Sequence, residues 1–320
     1  ERNADYVPRK EKPDWLAGGK VAKVDRIEWI TMPDAQTAIN ALQSGDIDFL
    51  EQPSIDLLPV LEANSDLTVA VLNKFGFQIE GRMNFLHPPF DNPKVRQAMA
   101  YAMPYQKIMD AVLFGLANPM FGAPKDKPTE VAWPQPTKYV TDMEKAKALL
   151  AEAGYANGFE TTISFDLNFA GVNEPLCVLV QESLAQLGIK TTINKVPGAN
   201  WRTELTKKEM PLFTNVFSGW LDYPEYFFYW CYHGNNSIFN TMSYKSGEMD
   251  KLIDGARIAA ANGDTAAYDA DVKGFVDLAF TDIPRIPLYQ PFVNVAMQKN
   301  ISGYQYWFHR RLDYRAMAKG

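Results

Sequence analysis

The chain has 320 residues, 47% of them hydrophobic and 13% aromatic, and a formal net charge of −6 at pH 7. That length accommodates about two domains and that composition a sizeable core, which sets the chain apart from disordered proteins. The acidic balance leaves no evident basic face to neutralise phosphates, which argues against a nucleic-acid partner, and no run of about 18 apolar residues marks a transmembrane helix.

Residues 1–20 are polar and punctuated by Pro and Gly, and read as loop without the pattern of a signal peptide. Val24 to Ile30 alternates weakly and predicts a strand. Asp34 can cap a helix running to Ser44, where Gly45 supplies a left-handed stop. Ile47 to Leu50 reads as a short strand, Ile55 to Ala63 as a helix and Leu67 to Leu72 as a strand, the alternation of an α/β lobe. Phe77 to Asn84 reads as extended. Lys94 to Met103 is a helix with Val95, Ala98, Met99 and Ala102 on one face. Pro104 starts another helix, which stops near Gly115. Residues 117–140 read as a long, proline-punctuated connection.

Thr141-Asp142-Met143-Glu144 has the form of a capping box for a helix running to Ala153 and stopped by Gly154. Thr162–Asn168, Glu174–Leu187 and Ile189–Lys195 then form a strand–helix–strand unit. The helix carries a Leu176, Val180, Leu184, Leu187 stripe, and the crossover should be right-handed. Asn200–Lys208 reads as a helix and Leu212–Phe217 as a strand. Helices follow at Gly247–Ala261 and, capped by Asp264, to Ala279. Pro284–Tyr289 reads as an extended crossover and 292–298 as a strand returning to the first lobe.

The strand at Leu212–Phe217 leads into Ser218-Gly219-Trp220-Leu221-Asp222-Tyr223-Pro224, followed by the aromatic run to Tyr232. These aromatics can pack a core or wall a pocket in which Asp222 anchors a cation or amine. The second role is favoured, because burying an unpaired carboxylate is costly. The histidines, His87, His233 and His309, are far apart and lack metal-binding spacing; His233 borders the aromatic cluster. Cys177 and Cys231 make no metal or disulfide framework, though one pairing between them stays open. The chain has no P-loop, dinucleotide fingerprint or nucleophile elbow, so its motifs give no positive sign of catalysis.

Blocks spread through the chain resemble the extracellular solute-binding proteins of peptide and nickel ABC importers. They are Arg2-Asn3-Ala4-Asp5-Tyr6, with Ala4 and Val7 departing from the family pattern; Leu42-Gln43-Ser44-Gly45-Asp46-Ile47-Asp48; Val95-Arg96-Gln97-Ala98-Met99-Ala100-Tyr101-Ala102, followed by Pro104-Tyr105 in place of the usual Asp-Arg; Ala146 to Tyr155; Gly219-Trp220-Leu221-Asp222-Tyr223-Pro224; and Ile286-Pro287-Leu288-Tyr289. The resemblance implies a two-lobed, periplasmic-binding-protein-like α/β fold, with mixed sheets, flanking helices and hinge strands between lobes. It places 81–288 in a large second lobe, and 1–80 with 289–320 in an incomplete first lobe. The chain is expected to lack the family's N-terminal third.

The same resemblance implies a function: capture of peptides or peptide-like amines between the lobes and delivery to a membrane permease. The protein would be a monomer in the periplasm, or outside the cell on a membrane tether, without cofactor or metal. Asp222 is the implied anchor for an α-amino group, with Trp220, Tyr223, Phe169, Asn168 and Trp230 around the ligand. The family's dipeptide binders add an arginine clamp near Leu167–Asn173, where this chain has none. This weakens the simple dipeptide reading and leaves longer peptides, and amine or amide ligands without a free carboxylate, open; Asn173 is either a polar contact or a helix cap. Rival readings are a sensing module of the same fold, a nickel or haem carrier, disfavoured by the scarcity of His, and a small α/β enzyme pairing Asp222 with His233.

Overall fold

The computed structural model describes residues 3–12, 18–72, 78–118, 138–217, 223–236, 238–306 and 314–320. The chain divides into two compact units, one of Glu1–Phe75 with Phe292–Gly320 and one of Gly76–Pro291.

In the first unit, α1 (Ala35–Ser44) starts where Asp34 accepts the Thr37 N–H at 2.7 Å and stops at Gly45, whose φ of +83° is left-handed. Ile39 and Leu42 bury its apolar stripe. β1 (Phe49–Glu51), α2 (Leu58–Glu62) and β2 (Leu67–Leu72) follow, with a 3-10 turn at Ile55–Leu57 leading into α2. The strand expected at Val24–Ile30 does not form. Weak alternation makes a strand only when a neighbour takes its hydrogen bonds and a core takes one face. Here Trp29 is 75% and Ile30 56% exposed, and Trp29 meets Tyr314 in a T-shaped contact at 5.0 Å between centroids.

The second unit contains β3 (Gln78–Met83), α3 (Pro93–Ala102), α4 (Tyr105–Lys107), β4 (Ala117–Asn118), α5 (Met143–Glu152), β5 (Glu160–Asp166), α6 (Ala170–Ala185), β6 (Lys190–Val196), α7 (Gly198–Lys207), β7 (Leu212–Phe217), α8 (Pro224–Cys231), α9 (Gly247–Asn262), α10 (Thr265–Asp282) and β8 (Arg285–Pro291). Among the described residues its sheet has the order β4-β8-β3-β7-β5-β6. β5 runs parallel to β6 and β7, while β3 is antiparallel to β7 and β8. The expected strand–helix–strand unit is β5–α6–β6, and Leu176, Val180, Leu184 and Leu187 are all buried. Residues 119–137, most of the expected long connection, lie outside the described residues.

Three local expectations are corrected. The turn at 141–144 is capped by Asp142, which accepts the Lys145 N–H, while Thr141 donates to the Met103 carbonyl instead. A carboxylate one residue later reaches the first free amides and leaves the hydroxyl to tie α5 to α3. The helix after Pro104 is one turn that passes into a π-turn at Ile108–Val112. α6 starts at Ala170 rather than Glu174, because Asp166 caps a 3-10 turn at Leu167–Phe169 that runs directly into the helix. Asn173 therefore lies inside α6 and caps nothing.

The chain then returns to the first unit. β9 (Val293–Gln298) inserts antiparallel between β1 and β2, and β10 (Ile301–Ser302) pairs with β11 (Ala318–Lys319).

Candidate ligand-binding site

The strand directions of the second unit define one margin of its sheet, where the turn carrying Asn168 and Phe169 follows β5. β5, β6 and β7 run the same way, so Asp166, Val196 and Phe217 end at that margin. Gln78 pairs with Phe217 and Ile79 with Tyr289, so β3 begins and β8 ends there too. The chain thus enters and leaves this unit at the margin where β5 and β7 end. Carboxyl ends of parallel strands are where α/β sheets place ligand-binding loops.

At the end of β5, Asp166 Oδ1 accepts the Asn168 N–H at 2.9 Å and holds the turn that presents Asn168 and Phe169. Phe169 is 53% exposed, although an aromatic ring gains by burial. The Asn168 side chain lies directly over Gly198, the first residue of α7, where a Cβ would fall 2.0 Å from Nδ2. The missing side chain of Gly198 is what lets the β5 and β6 loops approach.

After β7, Trp220 and Asp222 lie outside the described residues. Tyr223 stands before α8 and is 56% exposed. Pro224 takes the first helical position, where its missing N–H costs nothing. Glu225 in the first turn accepts the Tyr268 hydroxyl at 2.7 Å, which fastens the start of α8 to α10. Burial, and then this bond, hold the Tyr268 hydroxyl well above the ordinary phenol range.

The aromatic run divides by helical phase. Phe227, Phe228 and Tyr232 are buried, with Phe228 stacked on Tyr232 at 4.5 Å and against Phe275 at 4.2 Å. Tyr226, Tyr229 and Trp230 remain half-buried on the outer side. Trp230 meets Tyr226, Tyr229 and Phe239 edge-on at 6.3, 5.6 and 5.6 Å. It sits about 10 Å along the helix from Tyr223 at 1.5 Å per residue. Asn168 and Phe169 therefore share one turn, while Tyr223 and Trp230 occupy opposite ends of α8.

His233 is buried where the end of α8 meets α9. Its Nδ1 accepts the Asn235 N–H at 3.2 Å, and its Nε2 lies 3.4 Å from Asp254 Oδ2. Asp250 accepts the Gly234 N–H beside it at 2.7 Å. These carboxylates on α9 give His233 an anchoring role between helices. Among the described residues, no cluster of three or more His, Cys, Asp or Glu side chains is placed to hold a metal ion. Nor is any described helix long and apolar enough to cross a membrane.

Sequence reasoning missed three buried arginines, away from this margin. Arg82 and Arg285 are register partners on β3 and β8, and both are almost fully buried. Arg82 donates to Thr241 Oγ1 at 3.1 Å; Arg285 donates to the Phe239 carbonyl at 3.1 Å and lies 5.4 Å from the Tyr232 ring. Both thus tie the sheet centre to the segment after α8. Arg96 donates to the carbonyls of Asp282, Phe90 and Asp91, and lies 3.9 Å over the Phe85 ring. Burial lowers its pKa to about 10. A charged residue between apolar neighbours, as in Pro284-Arg285-Ile286-Pro287, was the only available signal.

A sequence model of bacterial extracellular solute-binding proteins, family 5, middle region, matches residues 1–239. The probable peptide ABC transporter periplasmic-binding protein y4tO of Sinorhizobium fredii is 42% identical over 165 residues, covering 49% of this chain and 30% of that protein. The glutathione-binding protein GsiB of Escherichia coli is 28% identical over 310 residues, covering 94% of this chain and 59% of GsiB. The chain therefore spans well under two thirds of the length of these relatives. Among solved structures, the periplasmic binding protein DppA from Helicobacter pylori, in complex with the peptide STSA, superposes with a TM-score of 0.78 at 23% identity. That match covers 90% of this chain and 56% of DppA, and shows a shared two-lobed α/β fold.

Proposed function

The chain belongs to the bacterial extracellular solute-binding proteins, family 5, and we propose that it serves an ABC importer by binding peptides or peptide-like amines and passing them unchanged to a membrane permease. Family membership over 239 residues carries this reading. It is supported by the names of the two relatives, one a probable peptide carrier and the other a glutathione-binding protein. Capture would take place outside the cytoplasmic membrane, in the periplasm or on a tether, by a monomer. The lobes would follow the division proposed above, with 81–288 forming the larger one.

The sheet margin described above is the proposed ligand surface. Phe169 and Asn168 are exposed in the turn after β5 and Tyr223 is exposed before α8, and these side chains would contact the ligand. Asp222, between Trp220 and Tyr223 in sequence, would accept the ligand's α-amino group through charge-assisted hydrogen bonds. Trp230, further along α8, would line the outer end. Catalysis is no part of this role, since the ligand leaves as it arrived.

The test is calorimetric titration of the protein in its full encoded length with free-amine and N-acetylated forms of the same short peptides. The free-amine forms should bind about tenfold or more tightly, and Asp222→Asn should remove that difference. Equal affinity for both forms in the unaltered protein would withdraw Asp222 as the anchor.

A further inference from the structure

We propose that Asp166 is a specificity determinant of this site and recognises a cationic group, guanidinium or ammonium, on the bound peptide. The inference rests on the peptide reading above and adds a chemical class to it.

Asp166 is the last residue of β5 and is only 7% exposed. One of its oxygens accepts the Asn168 N–H. Among the described residues the carboxylate has no other hydrogen bond and no ion pair. A carboxylate on so little-exposed a residue gains most when a cation that also donates hydrogen bonds meets it.

The strand register shows why this chain's own lysines do not. Ser164 and Asp166 lie on one face of β5, and Ser164 Oγ accepts from Asn194 Nδ2 on that face at 3.2 Å. Asp166 is opposite Val196, whereas Lys195 is opposite Phe165 on the other face. Lys195 is moreover already paired, 2.5 Å from Glu174 of α6. Residues 167–173 contain no lysine or arginine. α7 starts two residues beyond Val196, yet none of its described amides donates to Asp166.

The position adds to the argument. Asp166 sits at the carboxyl end of a parallel strand, one turn from the exposed ring of Phe169. A ligand lying along this margin would bring a basic side chain within reach of the carboxylate's second oxygen. A guanidinium suits such a site, since its fork donates two parallel bonds to one carboxylate.

The experiment compares Ala-Ala-Arg with Ala-Ala-citrulline, which has nearly the same shape without the charge, by calorimetry on the protein in its full encoded length. The unaltered protein should bind the arginine peptide about tenfold or more tightly. Asp166→Asn keeps an oxygen for the Asn168 N–H, so the melting temperature and citrulline-peptide affinity should hold while the preference disappears. Asp166→Ser, which can also cap the turn, is the second variant should the first fold poorly. Equal binding of the two peptides by the unaltered protein, or a preference that survives in the variants, overturns the role of Asp166 and leaves the peptide reading standing. Binding of neither peptide overturns both.

Discussion

Cys177 shows how one residue's surroundings set its chemistry. It is fully buried on α6, and desolvation, with a smaller contribution from the nearby charge of Glu174, pushes its thiol up to about 12. The thiolate is the reactive form, and at pH 8 a thiol with that pKa is ionised in only about one molecule in ten thousand. Cys231 is buried as well, and no disulfide joins the two. Iodoacetamide at pH 8 should therefore leave Cys177 unmodified in the native protein and alkylate it rapidly in urea, as read by intact-mass spectrometry. Rapid native labelling would show that α6 does not cover Cys177 as described. The sequence revealed which residues carry charge, but burial decided their behaviour. His233 looked like a candidate ligand contact beside aromatics, yet two carboxylates from α9, 17 and 21 residues on, claim its surroundings. Arg82 and Arg285 gave no sign of being neighbours, because strand register alone pairs residues so distant in sequence.

Elements whose signals are local were the most legible. The caps Asp34 and Asp264 each accept an amide from the first turn of their own helix, and Gly45 ends α1 in a left-handed conformation. Such contacts span only a few residues, so the local sequence contains both partners. The strand expected at Val24–Ile30 needed a partner from elsewhere, and its residues could not report that none would come. α8 was hidden for a different reason: its run of aromatics suits a strand as well as a helix, and only contacts with Phe275 and Tyr268 settle the matter. One packing constraint at this scale is sharp. Gly158 and Gly188 both have positive φ and cross where β5 and β6 begin, and a Cβ on Gly158 would fall 2.1 Å from the Gly188 carbonyl oxygen. Backbone cannot step aside as a side chain can, and the left-handed conformation itself disfavours alanine. Gly158→Ala should cost about 2 kcal/mol or more, measured by urea unfolding. Gly198→Ala should cost far less, because only the exposed end of Asn168 must move; an equal loss would contradict this distinction.

On the scale of the whole molecule, the two units differ in how their sheets are protected. In the second unit β3, β7 and β5 are interior strands, each hydrogen-bonded on both sides, and buried residues of α3, α6 and α10 supply its core. Among the described residues of the first unit only β9 is paired on both sides, and β1 has three residues. Amide exchange reflects how much structure must open before water reaches a bond. Protection should therefore last longest in β3, β5 and β7 and be lost earlier from β1 and β2, as followed by hydrogen–deuterium exchange mass spectrometry. The reverse order would place the more stable core in the first unit.

The sequence by itself determined the α/β class, most helix positions and the family, because periodicity, capping residues and short motifs are local properties of a chain. It also marked Asn168, Phe169 and Tyr223 as candidates. That β5 and β7 end at one sheet margin was decided by their parallel pairing, between strands some fifty residues apart. The same pairing, with β6 on the other side, left Asp166 only 7% exposed and placed Lys195 opposite Phe165 on the other face. Distant segments acquire neighbours only when the sheet closes, so the surroundings of these residues could not be read in advance.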